Sequence, residues 1–330
     1  MDQKIDAFIL AGEGRGSQSV LSQNKALLTI KGFPLFLYVV AALDQVERIN
    51  HIYLVGPRAA LSEALEKGRR SFGIKKSTEV IEQQGDLLEN LICGFSYSLA
   101  GRPGIGRLDP HLYELHHDRV GLFLSADVPL LVPEEIDEFL RGCDMKSYDY
   151  CLGVTSEEFL RPFYPSEGRP GIRMDYFYLA EKAYRINNLH LARPFKISRL
   201  NHIQDVYTYR YQRRLGNIVG VAAGILRTRR WLRGMFYYGV LRVANLFSSL
   251  RLTGLARFPR GLLQLEAIEK TVSEVLGTRF KTVETSFGGA ALDVDSEAAY
   301  RAVGSMFEPW RAYQGSLAQE KRTVGAPLSR

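Results

Sequence analysis

The clearest signal for the fold lies in FILAGEGRGS at residues 8–17 and NKALL at residues 24–28. An apolar run that stops at closely spaced glycines predicts a first strand and a loop whose backbone amides can surround a phosphate chain. Lys25 then supplies a mobile positive charge for the same phosphates. The spacing excludes two other phosphate loops, because no Gly-Lys-Ser/Thr follows and Ser17 stands where the dinucleotide fingerprint needs glycine. A tight turn that binds no ligand is the alternative interpretation.

Outward from this loop, the chain alternates apolar strands with helical patterns, which favours a mostly parallel sheet covered by helices. The pattern is less regular after Glu157 and returns near the C-terminus. The predicted strands are 7–10, 51–55, 76–82, 119–124, 148–155 and 280–284, and the predicted helices are 34–46, 61–72, 87–99, 133–141, 266–276 and 298–307.

Charge is distributed unevenly along the 330 residues. Residues 206–265 contain eleven arginines and no acidic residue, whereas the whole chain carries a net charge of only +7. Interleaved aromatic and leucine residues suit three interpretations: a helical insertion or lid, a helix lying on anionic lipid, or, least favoured, a nucleic-acid contact. We therefore divide the chain into 1–205 and 266–312 as two parts of one core, 206–265 as a helical Arg-rich insertion or lid, and 313–330 as a loose tail.

Composition also bears on the compartment. Cys93, Cys143 and Cys151 lack metal-type spacing and cannot all pair, so they indicate buried thiols in a reducing environment. No signal-peptide pattern occurs near Met1, and no apolar run approaches the roughly 20 residues that cross a bilayer. We expect a cytoplasmic protein, peripheral at the membrane if the Arg-rich segment binds lipid.

A second motif, FLSADVPLL at residues 123–131, ends a predicted buried strand with Asp127. Ligands of open α/β sheets bind at the carboxyl ends of the strands, where a carboxylate can hold a magnesium ion that bridges a triphosphate. A buried or helix-capping aspartate is the alternative.

Together, these motifs resemble the nucleotidyltransferases of the molybdenum-cofactor guanylyltransferase-like superfamily, the MobA-like NTP transferases. The family's opening motif, Leu-Ala-Gly-Gly-x-Gly-x-Arg followed by lysine and Gly-x-Pro-Leu, is similar to residues 10–16, Lys25 and 32–35. The sequence departs from it at Glu13, where glycine is usual, and at Gln18, which one inserted residue would place at the usual arginine. The resemblance implies a three-layer, Rossmann-like, mostly parallel sheet of the nucleotide-diphospho-sugar transferase type.

The resemblance also implies roles for the matched residues. Lys25 and Asp127 would be catalytic, and Asp127 would hold Mg²⁺ or Mn²⁺ with Asp293 or Asp295, of which we favour Asp293. Ser296 or the other acid would cap the last helix. The implied nucleotide contacts are Leu10, Ala11, Gly12, Gly14, Arg15, Gly16, Lys25, Gln84, Gly85 and Asn90, and the implied acceptor contacts are Arg173, Asn187 and Asn188.

The expected reaction transfers a nucleoside monophosphate from an NTP to a phosphorylated acceptor and releases pyrophosphate. Neither the base nor the acceptor follows from the residues. Two alternatives remain at this point: a metal-dependent nucleotide-sugar glycosyltransferase, which would favour an Asp-x-Asp where Asp127 stands alone, and a non-catalytic nucleotide-binding protein, which the altered loop at Glu13 and Gln18 would suit.

Overall fold

The computed structural model describes residues 4–13, 20–21, 23–100, 110–200 and 264–325. Within these ranges, apolar runs rich in β-branched and aromatic residues form the strands, because such side chains pack well on a pleated surface. The strands are β1 (Ile5–Leu10), β2 (Thr29–Ile30), β3 (Phe33–Pro34), β4 (Ile49–Gly56), β5 (Thr78–Glu82), β6 (Gly121–Ser125), β7 (Tyr150–Ser156), β8 (Phe177–Tyr178), β9 (Ala183–Ala192) and β10 (Phe280–Thr285).

Amphipathic segments form the helices, with recognisable starts and stops. One helix begins with Pro133, which fits a first turn because the N–H that proline lacks has no partner there. Another ends at Gly73, whose φ of +64° is a conformation that glycine adopts at no cost. The helices are α1 (Leu35–Asp44), α2 (Arg58–Phe72), α3 (Leu87–Ala100), α4 (Pro110–His116), α5 (Pro133–Gly142), α6 (Glu157–Leu160), α7 (Leu265–Leu276) and α8 (Glu297–Gly325).

The main sheet has the strand order β10-β7-β9-β6-β1-β4-β5, with β8 paired to β9. Strand β1 is parallel to β4 and β6, β4 to β5, and β7 to β10. The exception is β9, which runs antiparallel to both β6 and β7. The predicted mostly parallel sheet is therefore confirmed, and its parallel strands end at one common edge.

Helices cover both faces of this sheet. On one face, Ile9 and Leu124 pack with apolar residues of α1, α2 and α5. On the other face, Phe8 stacks on Phe123 at a centroid distance of 4.9 Å and packs near residues of α3 and α7. Successive residues of a strand point to opposite faces, so this three-layer arrangement follows directly from two apolar sets on the same strands.

The structure corrects the predicted loose tail. Helix α8 continues to Gly325, and within it Gln314 and Ala318 are buried. Lys321 Nζ lies 2.7 Å from Glu138 on α5, which ties this part of the helix to the core. The polar composition of residues 314–325 thus reflects the exposed face of a docked helix.

The predicted insertion at 206–265 lies almost entirely outside the described residues, which resume at Gln264. Among the residues that are described, none belongs to a helix long and apolar enough to cross a membrane.

Candidate active site

The candidate site lies where β1, β6 and β10 end at the common edge of the sheet. The first loop is anchored on both sides. Ala11 N donates to Val55 O at 2.8 Å, and Asn24 Nδ2 donates to Ala11 O at 2.9 Å. Asn24 also accepts the amide hydrogen of Ala26 at 2.8 Å, which starts the short 3₁₀ turn carrying Lys25. The loop's start and its lysine are therefore held together. Gly14, Arg15 and Gly16 lie outside the described residues.

A second segment packs directly against this loop. A Cβ atom on Gly12 would lie only 2.4 Å from Asn90 Nδ2, so any larger residue there would displace the side chain of Asn90. Glu13 N donates to Gln83 Oε1 at 2.6 Å, and Asn90 Oδ1 accepts from Gln84 N at 2.6 Å. The structure thus brings together the two segments that the sequence assigned to the nucleotide.

Lys25, which follows the loop, joins two acids that are distant in sequence. Its Nζ lies 2.6 Å from Asp127 Oδ2 and 2.5 Å from Asp295 Oδ1. Ser125 Oγ donates to the other oxygen of Asp127. Burial alone would lower the pKa of Lys25, but the two carboxylates raise it above its usual range, so the side chain is a cation.

The third acid, Asp293, is buried and pairs with a different cation. Arg185 Nη2 on β9 lies 2.6 Å from Asp293 Oδ1. Asp293 and Asp295 are close enough to interact: burial, a hydrogen bond to Asp293 and the charge of that acid raise the pKa of Asp295 above its usual range. Val294 N donates to Asp127 O at 3.0 Å, which fixes this segment against the end of β6.

These contacts refine the expected ligand set. Asp295, rather than the favoured Asp293, shares Lys25 with Asp127. Ser296 Oγ accepts from Ala299 N at 3.1 Å and caps α8, which leaves Asp295 facing the lysine. As they stand, no three His, Cys, Asp or Glu side chains of the described ranges are grouped to hold one ion.

The residues expected to face the acceptor have different environments. Arg173 is exposed. Asn188 is half-buried and donates to Ala290 O at 2.9 Å. Asn187 is buried, and its Nδ2 lies 3.2 Å from Thr155 Oγ1 and 3.1 Å from Thr285 Oγ1. These bonds link β7, β9 and β10, so the side-chain amide of Asn187 stabilises the sheet.

A family model described as the MobA-like NTP transferase domain matches residues 7–173 of this chain. The chain belongs to this family. The match ends before β10 and the segment with Asp293 and Asp295, whose position the structure supplies.

Two curated relatives and one solved structure are similar to the chain. A probable molybdenum cofactor guanylyltransferase of Thermococcus kodakarensis is 30% identical over 158 residues, which are 47% of this chain and 62% of the relative. A 2-C-methyl-D-erythritol 4-phosphate cytidylyltransferase of Chlorobium luteolum is 30% identical over 138 residues, 40% of this chain and 52% of the relative. The matched part thus spans less than two thirds of either relative.

The solved structure is that of a hypothetical transferase from Thermus thermophilus, with a TM-score of 0.55 and 19% identity. The similarity covers 89% of this chain and 97% of that one. It confirms the three-layer, mostly parallel α/β fold expected for this chain.

Sequence reasoning missed two residues at this edge. Arg185, which binds Asp293, lies in a strand whose pairing no local pattern reveals. Glu135 is fully buried on α5 and accepts the amide hydrogen of Ala290 at 3.0 Å. A signal for it existed, because it shares the helix face of the apolar residues Ile136 and Phe139.

Proposed function

We propose that this protein is a nucleotidyltransferase that moves a nucleoside monophosphate from an NTP to a phosphorylated acceptor and releases pyrophosphate. The observation that carries the proposal is the placement of Lys25 between Asp127 and Asp295, next to the glycine loop at the strand ends. Membership of the MobA-like family supports it, as do the names of the two curated relatives, a guanylyltransferase and a cytidylyltransferase.

The donor set fits Mg²⁺ or Mn²⁺. Asp127 and Asp295 offer carboxylate oxygens toward one point, and Asp293 lies beside Asp295. Carboxylate oxygens are the ligands these hard cations prefer, and one or two of them suffice when substrate phosphates complete the shell. Lys25 already acts as a cation between two of these acids, so their negative charge is arranged around a point that a positive ion can take. When bound there, the metal would neutralise phosphate oxygens and polarise the reacting phosphoryl group.

The chain's own groups then have separate tasks. Lys25 turns from the carboxylates to the triphosphate, where its positive charge stabilises the negative charge that develops as pyrophosphate leaves. The amides after β1 hold the phosphates in one orientation, which brings the α-phosphorus in line with the acceptor. An acceptor phosphate is ionised near neutral pH, so the attack needs no general base.

Recognition of the two substrates is proposed for two different segments of the chain. We propose that Gln84, Gly85 and Asn90 contact the nucleobase, because their segment packs on the glycine loop at Gly12. Arg173 and Asn188 lie in the part of the chain proposed to bind the acceptor.

Pyrophosphate release tests this function. Each of the four NTPs is incubated with Mg²⁺ and a panel of phosphorylated sugars, alditols and pterins, and pyrophosphate is measured with a coupled enzyme. We expect release that depends on one NTP and one acceptor class and that Asp127→Asn abolishes. Release that is unchanged in Asp127→Asn would refute the metal assignment, and release without any acceptor would refute the transfer.

We also propose that the Arg-rich segment at 206–265 brings the enzyme to anionic lipid, which would suit an acceptor at a membrane surface. The supporting observation is its eleven arginines without an acid, mixed with tryptophan, tyrosine and phenylalanine. Flotation with phosphatidylglycerol vesicles at low salt should carry the protein upward, and neutral vesicles should not. Failure to float with the anionic vesicles would end the membrane proposal and leave the transferase untouched.

A further inference from the structure

The segment that carries Asp293 and Asp295 leaves β10 through a tight turn at Gly288–Ala291. This turn sits directly on the chain after β6: a Cβ atom on Gly289 would lie 2.2 Å from Leu130 O. The turn therefore has no room to shift toward Leu130, and the chain runs from it directly to the two acids.

Glu135 holds this turn from the helix side. Its Oε2 accepts the amide hydrogen of Ala290 at 3.0 Å, and the amide of Gly289 donates to the same carboxyl group. Thr285 Oγ1, the last residue of β10, lies 3.4 Å from Oε1. One side chain thus satisfies two amides at the start of the turn and meets the strand that leads into it.

From the other side, β9 holds the carbonyl groups of the same turn. Asn188 Nδ2 donates to Ala290 O at 2.9 Å, and Arg185 Nε donates to Ala291 O at 2.9 Å. Arg185 continues to Asp293 through its Nη2 at 2.6 Å. Ala290 is therefore fixed at both its amide and its carbonyl, and the chain to Asp293 is only three residues long.

The burial of Glu135 shows that this contact is specific. Its side chain is 0% exposed among apolar neighbours, where an unpaired carboxyl group is strongly disfavoured. Burial raises the pKa of Glu135 to about 8, although the two amides act in the opposite direction. A leucine would fill the same space without this cost, so a buried acid here is explained by the two amides it satisfies.

We propose that Glu135 is a positioning residue for the metal site, because it fixes the Gly288–Ala291 turn and so sets the places of Asp293 and Asp295. This inference rests on the proposed metal site of the transferase. Groups that orient metal ligands without touching the ion typically change metal affinity by about 10- to 100-fold when removed.

The test compares Mn²⁺ affinity, read from the EPR signal of the free ion, in the full-length protein and its variants. Glu135→Leu removes both acceptors and should weaken Mn²⁺ binding about tenfold or more. Glu135→Gln keeps an oxygen for the amides and should stay within about threefold of wild type. A general loss of stability would not produce this difference in Mn²⁺ affinity between Glu135→Leu and Glu135→Gln.

Glu269 provides the matched control. Like Glu135, it is a buried glutamate on a helix, and it accepts the amide hydrogen of Thr282 in β10 at 2.9 Å. Its contacts, however, lie toward the start of β10, away from the turn. Glu269→Leu should lose stability and keep Mn²⁺ affinity. If Glu135→Leu does not fold by circular dichroism, Glu135→Asp, which withdraws the carboxyl group by one methylene, takes its place with the same expectation.

The outcomes separate the two proposals. Wild-type Mn²⁺ affinity in folded Glu135→Leu or Glu135→Asp, or an equal loss of affinity in Glu269→Leu, would overturn the role of Glu135 and leave the metal site standing. Wild-type affinity in Asp127→Asn would instead remove the metal site itself.

Discussion

Replacing Lys25 with methionine is the most informative perturbation of the site, because it removes the cation between Asp127 and Asp295 and keeps a side chain of similar length. Two carboxylates would then face each other without compensation. The lysine lies 2.6 Å and 2.5 Å from their oxygens, and the side chains of Asp127 and Asp295 are 6% and 30% exposed.

The size of the effect follows from this geometry. Removing one partner of a buried ion pair costs about 3–5 kcal/mol, and we expect about 2–3 kcal/mol here because solvent screens the more exposed Asp295. A divalent cation should substitute for the ammonium group. At about 100 times its dissociation constant it would contribute about 2.7 kcal/mol, so Mg²⁺ should restore most of the lost stability.

Urea unfolding of wild type and Lys25→Met, each with EDTA and with saturating MgCl₂, measures both quantities. Lys67→Met is the control, because its pair with Glu63 is exposed and its loss should change the free energy of unfolding very little. The reasoning would be refuted if Lys25→Met had the same unfolding free energy as wild type in EDTA, or if Mg²⁺ stabilised Lys25→Met and wild type equally.

Three further predictions concern single residues. Gly12→Ala should raise the KM for the nucleotide at least several-fold, because its Cβ would collide with Asn90, whereas Gly304→Ala, with nothing within 4 Å, should leave KM unchanged. Burial raises the pKa of Glu135 from 4.5 to about 8. Between these two pH values the folded protein keeps a proton that the unfolded chain releases, so the free energy of unfolding falls as pH rises. Urea titrations at several pH values should show Glu135→Gln gaining relative to wild type as pH rises; a constant difference would contradict this. Gly315→Ala should raise the free energy of unfolding by about 0.5–1 kcal/mol, because Gly315 lies inside α8, and an unchanged thermal midpoint would contradict this.

The parts of the fold that the sequence predicted are those with local signals. Strands β1 and β6 are apolar runs that end at glycine or Asp127, so both their positions and their functional ends could be recognised. The order of the strands in the sheet could not be predicted. Strand β9 is inserted antiparallel between β6 and β7, and that pairing depends on contacts between residues far apart in sequence, which periodicity does not record.

The same distinction applies to the site. Lys25 and Asp127 were predicted because each follows a strand or loop motif, and the Asp293–Asp295 segment because it resembles the acids that the family carries near its C-terminus. Which acid contacts Lys25 was not predicted, because it depends on the path of the chain after a turn that Glu135 and β9 contact from far away in the sequence. Helix α8 was underestimated because its second half buries only a narrow face, and its remaining residues look like those of a free tail.

The most direct measurement of the central proposal is ³¹P NMR of the reaction with Mg²⁺, the preferred NTP and its acceptor. The account predicts that the α-phosphorus signal moves from a triphosphate to a diphosphate diester while an equal amount of pyrophosphate appears, and that Asp127→Asn abolishes both changes. Orthophosphate and a nucleoside diphosphate as the products would contradict it.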